Sequence, residues 1–112
     1  ELTRIVVANG GLASSLTGLA GLGDLALSCT SPQSRNYQFG MALGGGESVA
    51  GIIARGAGLA EGVATAPVAR RMAQELGIDT PLIDAVNMLL AGRSSIGSIV
   101  SGLMTRPLKR EE

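Results

Sequence analysis

Residues Gly18 to Asn36, GLAGLGDLALSCTSPQSRN, decide the reading of this chain, because they gather an acid, several hydroxyls, an amide and an arginine into a glycine-rich setting. Ser31-Pro32 predicts a helix start: serine caps exposed amides, proline is tolerated at the first helical position, and Tyr37 to Leu43 then carry apolar residues at helical spacing. Arg35 and Asn36 fall in the first turn or two of that helix. Free backbone N–H groups and the positive end of the helix dipole favour an anion there, and a guanidinium adds a two-pronged donor matched to phosphate. The grouping suits a phosphate and a polyol. The plainer alternative is a capped surface helix whose arginine is solvated or paired with Asp24.

The glycines upstream run G-x-x-G-x-G with no strand before them, so the dinucleotide fingerprint G-x-G-x-x-G is rejected. They are read instead as allowing close helix approach or a tight turn ahead of Asp24, which alone reads as a helix cap. Asp24 to Cys29 fits a strand or a helix, being too short to show its period. Leu2 to Asn9 reads as the end of a helix stopped by Asn9-Gly10-Gly11, and Leu12 to Leu19 as a second, short helix with Ser14 or Ser15 as cap.

Beyond Leu43, Gly44-Gly45-Gly46 ends the helix, since each glycine costs roughly 1 kcal/mol relative to alanine. Ser48 caps a brief helix with Val49, Ile52 and Ile53, closed by Gly56 and Gly58. Val63 to Leu76 is a helix with Val68, Met72 and Leu76 on its apolar stripe, ended by Gly77. Thr80-Pro81 opens another, with Leu82, Val86, Leu89 and Leu90 as its buried face, ended by Gly92. Ser94 or Ser95 caps a last helix carrying Ile96, Ile99, Val100, Leu103 and Met104. No segment alternates with period two, so the chain is expected to be all-α, with six to eight helices over residues 1–106 and a charged tail at 107–112.

Composition narrows the function. Nine basic and nine acidic residues balance to zero, which argues against a nucleic-acid or anionic-membrane surface; any anion binding must be local. No apolar run approaches the ~20 residues that cross a bilayer. The single cysteine, Cys29, cannot form an internal disulfide and fits a reducing, cytoplasmic setting; its apolar neighbours Leu25 to Leu27 predict a buried, unreactive thiol. With no histidine and no cysteine pair, no metal site is expected. The chain begins at Glu1, not methionine, and the helical stripe of Leu2, Ile5 and Val6 starts at once, so it is expected to be the C-terminal portion of a longer protein.

GLAGLGDLALSCTSPQSRNYQFGMALGGG resembles the signature of the C-terminal domain of bacterial NAD(P)-dependent sn-glycerol-3-phosphate dehydrogenases. Leu59-Ala60-Glu61-Gly62 is similar to that family's V-x-E-G, and Gly77 to Pro81 to its final G-[IV]-x-x-P-[IL] segment. Ser28 stands where relatives often carry threonine, which keeps a hydroxyl. The resemblance implies a helix over Asp24 to Cys29 and the C-terminal helical fold of 6-phosphogluconate-dehydrogenase-like enzymes. It implies substrate contacts from Asp24, Ser34, Arg35 and Asn36, and contacts to NAD or NADP from Arg35, Leu59 and Glu61.

The implied reaction interconverts dihydroxyacetone phosphate and sn-glycerol 3-phosphate for phospholipid synthesis. The only lysine is Lys109, in the tail, so the family's catalytic lysines and its fingerprint are expected in an N-terminal Rossmann domain, the main binder of the cofactor; this portion alone is expected to be inactive. Two other readings compete. One is the helical domain of a different Rossmann-type dehydrogenase, which would need a substrate triad other than S-R-N. The other is a non-catalytic helical module in which the aliphatic last two helices form a homodimer face.

Overall fold

The computed structural model describes residues 1–14, 18–56, 60–92 and 94–106, with backbone alone at 19–22 and 28. Seven helices follow one another among these residues, and none of the described segments is a strand. They are α1 (Leu2–Ala8), α2 (Leu19–Thr30), α3 (Arg35–Gly44), α4 (Val49–Ala54), α5 (Glu61–Leu76), α6 (Pro81–Leu90) and α7 (Ile96–Met104). The expected all-α architecture is therefore what the chain adopts. Helix α5 is the hub: α1, α3 and α6 pack on it, α7 packs on α6, and α2 and α4 pack on α3.

Helix ends follow the predicted chemistry at most boundaries. Ser48 Oγ accepts from Gly51 N at 3.0 Å to cap α4, and Ser95 Oγ accepts from Ser98 N at 3.1 Å to cap α7. Gly10, Gly56, Gly77 and Gly92 close helices at positive φ, between 65° and 86°, a region that other residues enter only under strain. The triple glycine ends α3 at Gly44. Gly58, the other predicted stop, lies outside the described residues, as do residues 15–17 of the expected Leu12 to Leu19 helix and the tail from 107 to 112.

The opening stretch folds differently from its sequence reading at three points. Helix α2 runs unbroken through Gly21, Gly23 and Asp24, so Asp24 is an exposed mid-helix residue and caps nothing. Close helix approach does not explain Gly23, where an added Cβ would meet nothing within 4 Å. Gly18 is the constrained glycine: it is the N-cap of α2, and a Cβ there would lie 2.8 Å from Ser14 O. Helix α3 starts at Arg35 and not at Pro32. Ser34 N donates to Ser31 O at 3.1 Å, closing a turn with Pro32 in its second position, where the fixed φ of proline belongs.

The described core is small and built from short side chains. Ile52, Ala60, Ala73, Ala85 and Ile99 are the buried apolar residues, and Ala73 on α5 is only 1% exposed. Alanine at such positions lets backbones approach closely, and the α5–α6 contact is tied further by Asn87 Nδ2, which donates at 2.9 Å to Ala66 O on α5 and to Ile83 O within α6. Ala66 directly precedes Pro67, which α5 accommodates in its interior although the sequence reading began that helix at Val63. The predicted stripes are not what is buried. Val68, Met72 and Leu76 on α5, and Leu82 and Val86 on α6, are exposed, because the helices present cover one side of each and the alanines take the contact. On α7, Ile99 is buried while Met104 stays 81% exposed.

Cys29 is likewise exposed, with Leu27 on the same helix 65% exposed, so the expected buried thiol is corrected.

Glu1 and Arg4 from the first turn of the chain and Arg106 from beyond α7 meet at the α5–α6 loop. Thr80 is the N-cap of α6, but its side chain makes no cap hydrogen bond. The Glu1 carboxylate supplies the cap instead, accepting from Leu82 N and from Ile83 N. Arg4 Nη2 donates to Asp79 O at 2.7 Å, and Arg106 Nη2 pairs with Asp79 Oδ2 at 2.9 Å. A carboxylate on the first free amides of a helix joins charge-assisted hydrogen bonding to the favourable end of the dipole.

Glu1→Ala should therefore cost about 1 kcal/mol in urea denaturation, as cap removal does. Amide exchange should accelerate at Leu82 and Ile83 ahead of the rest of α6; unchanged exchange at those two amides would show that the carboxylate is not their cap. Cys29 in the native chain should react with a disulfide-exchange reagent at a rate close to that of the urea-unfolded chain, and strong protection would contradict its exposed position.

Candidate functional site

The S-R-N tripeptide forms the N-terminal turn of α3, and each of its side chains has a distinct local task. Ser34 is the N-cap, its Oγ accepting from Tyr37 N at 3.4 Å while the hydroxyl proton stays available to donate. Extended backbone dihedrals at Ser34, φ −65° and ψ 130°, turn its side chain back onto the helix it starts.

Arg35 is the first helical residue and is exposed. It makes no hydrogen bond or ion pair among the described residues. The described ion pairs, Arg55 with Glu47, Arg70 with Asp84 and Arg106 with Asp79, lie elsewhere. Asp24 is therefore not its partner, which removes one form of the plainer alternative. The guanidinium keeps its full set of donors beside the free amides of the helix start.

Asn36 reaches across to another helix. Its Oδ1 accepts from Gly62 N at 3.0 Å, tying the first turn of α3 to the first turn of α5, 26 residues further along the chain. Gly62 has to be small for this contact: an added Cβ would stand 2.8 Å from Asn36 Oδ1 and 3.2 Å from Cγ. Glu61, at the first position of α5, is exposed, and its carboxylate has no described partner. Ala60, just before it, is buried and anchors the entry to the helix.

The structure thus brings Ser34, Arg35, Asn36, Glu61 and Gly62 to one place where two helices begin. Asp24 lies on α2, which packs on α3, but no described hydrogen bond links it to the tripeptide. Leu59 lies outside the described residues. Chemically the cluster offers a fork of guanidinium donors, a carboxamide NH2, a hydroxyl and unpaired helix-start amides, all suited to holding an oxyanion. Glu61 adds a nearby acceptor for hydroxyl donors. Among the described residues no three His, Cys, Asp or Glu side chains come together to hold a metal ion.

Sequence reading gave Asn36 a substrate role and missed that half of its carboxamide holds two helices together. Gly62 was quoted only as the end of a short motif. The available signal was a glycine in the first turn of a helix, a position that gains nothing from glycine's flexibility and so calls for a steric reason.

Comparison with known proteins gives the family. Glycerol-3-phosphate dehydrogenase [NAD(P)+] of Caulobacter vibrioides is 46% identical over 111 residues, covering 99% of this chain and 34% of that protein. The enzyme of the same description from Rhodopseudomonas palustris (strain TIE-1) is 50% identical over 112 residues, or 100% of this chain and 33% of the relative. That from Mesorhizobium japonicum is 51% identical over 111 residues, or 99% and 31%. The chain spans about a third of the length of these curated relatives. A family model described as NAD-dependent glycerol-3-phosphate dehydrogenase C-terminus matches residues 1–101, and with the helical fold and the S-R-N turn in place the chain belongs to that family.

Proposed function

We propose that residues 1–106 form the substrate-binding helical domain of an NAD(P)H-dependent glycerol-3-phosphate dehydrogenase, with 107–112 as its charged tail. The protein it serves interconverts dihydroxyacetone phosphate and sn-glycerol 3-phosphate in the cytoplasm, for glycerophospholipid synthesis. The observation that carries this reading is the unpaired Arg35 guanidinium in the first turn of α3, set beside an Asn36 carboxamide held against the start of α5.

In this reading Arg35 and Asn36 take the phosphate, the Ser34 hydroxyl donates to a substrate oxygen, and Asp24 accepts from the polyol. Holding the phosphate at a helix start fixes the distance from the domain wall to the carbonyl carbon, which converts binding into orientation. Arg35 also reaches the cofactor, with Leu59 and Glu61; the exposed carboxylate of Glu61 fits a nucleotide hydroxyl, and an unpaired guanidinium fits its phosphates. NAD or NADP supplies the hydride when bound. A Rossmann domain on the N-terminal side binds most of the cofactor and provides the lysine that handles the hydroxyl proton. We extend this reading to a homodimer, with exposed Val100 and Met104 on α7 as part of its contact.

Steady-state kinetics of the full-length dehydrogenase test the assignment. Removing one partner of a charge-assisted contact costs roughly 2–5 kcal/mol, so Arg35→Ala should lower kcat/KM for dihydroxyacetone phosphate by about two to three orders of magnitude. Arg35→Lys keeps the charge without the fork and should fall between. A solvated surface arginine would cost less than about 1 kcal/mol in either variant, so an Arg35→Ala enzyme within a few-fold of the parent would take Arg35 out of the site. Glu61→Ala should raise KM for the nicotinamide cofactor by up to about tenfold, the worth of one hydrogen bond, while KM for dihydroxyacetone phosphate holds. An unchanged cofactor KM would remove Glu61 from that contact.

A further inference from the structure

We infer that Gly62 is a positioning residue for substrate recognition: its N–H fixes which end of the Asn36 carboxamide faces the site, and so makes Asn36 a donor to an acceptor-only group such as a phosphate monoester dianion. This rests on the substrate-site reading above.

A carboxamide has two chemically opposite ends, one carbonyl acceptor and one NH2 with two donors, and it can rotate by half a turn to exchange them. A backbone N–H can only donate. With Gly62 N 3.0 Å from Asn36 Oδ1, the oxygen is committed to α5 and the NH2 is left for whatever occupies the space beside Arg35. The rotated amide would set two donors face to face and leave the helix-start N–H unmet, so the bond selects one orientation in advance of ligand. A group offering only acceptors, in reach of a guanidinium, fits; a group that must donate meets the NH2 end of this side chain, whose oxygen is turned to α5.

Gly62 has no positive φ and lies within a helix, so backbone freedom does not explain it. The steric reason does. A methyl at this position would come within 2.8 Å of Oδ1, an atom at the end of a side chain that can swing away. Gly62→Ala should therefore leave the fold intact, since alanine is the better helix former, and deliver its effect to the orientation of Asn36. Asn36→Asp is the complementary probe: it keeps an acceptor for Gly62 N–H but replaces the donors with a second anionic oxygen.

The test uses the full-length dehydrogenase at saturating NADH, with dihydroxyacetone phosphate varied and inorganic phosphate as competitive inhibitor. Gly62→Ala should raise KM and the phosphate inhibition constant together by about three- to tenfold, with the melting temperature near the parent's. In an Asn36→Ala background the same change should add nothing, because the residue it acts through is gone. Asn36→Asp should lower kcat/KM by about a hundredfold or more with the protein folded, from a lost donor and an added like charge. Equal losses from Gly62→Ala in both backgrounds, or no loss in either, would overturn the positioning role; a raised KM with unchanged phosphate inhibition would overturn the acceptor assignment. An Arg35→Ala enzyme of parental efficiency would instead sink the substrate-site reading itself, so the two failures are separable.

Discussion

The burial of Ala73 on α5 is the constraint from which the rest of the fold follows. It is the least exposed side chain described, on the helix against which α1, α3 and α6 all close. A methyl group there leaves room for neighbouring backbones to approach, and close approach lets polar side chains finish the contacts. The Asn87 carboxamide can reach Ala66 O across the α5–α6 contact. A larger residue at 73 would have to displace a neighbour packed on α5, because the site has almost no exposed surface to expand into.

The site inherits its geometry from the same hub. Three helices pack on α5, and the bond from Gly62 N to Asn36 Oδ1 ties its first turn to the first turn of α3. Arg35 needs no partner of its own to be placed: it is the first residue of a helix whose start is already pinned one residue later. An anion meeting Arg35 would order its side chain but not its backbone, which the helix start already fixes.

Apolar side chains stay open on several of the helices. Leu27 on α2, Leu82 and Val86 on α6 and Met104 on α7 are exposed, as a share of apolar side chains is on any folded surface. About two thirds of the length of the curated relatives lies outside the matched portion.

Sequence alone determined the fold class and most of the points where helices stop, because positive-φ glycines and the triple glycine after Leu43 act locally and need no tertiary partner, as do the serine caps of α4 and α7. It also singled out Ser34, Arg35 and Asn36, since an S-R-N tripeptide at a helix start carries its chemistry in three adjacent residues. The tertiary structure decided what periodicity could not. Apolar spacing says that Val68, Met72 and Leu76 share a face, but whether that face is covered depends on which helices arrive, and here the alanines took the contact. Cys29 came out exposed for the same reason. The roles of Glu1 and Gly62 were beyond any local pattern: each depends on meeting a residue 26 or more positions away, and only the packing of α1, α3 and α6 around α5 brings those atoms within hydrogen-bonding distance.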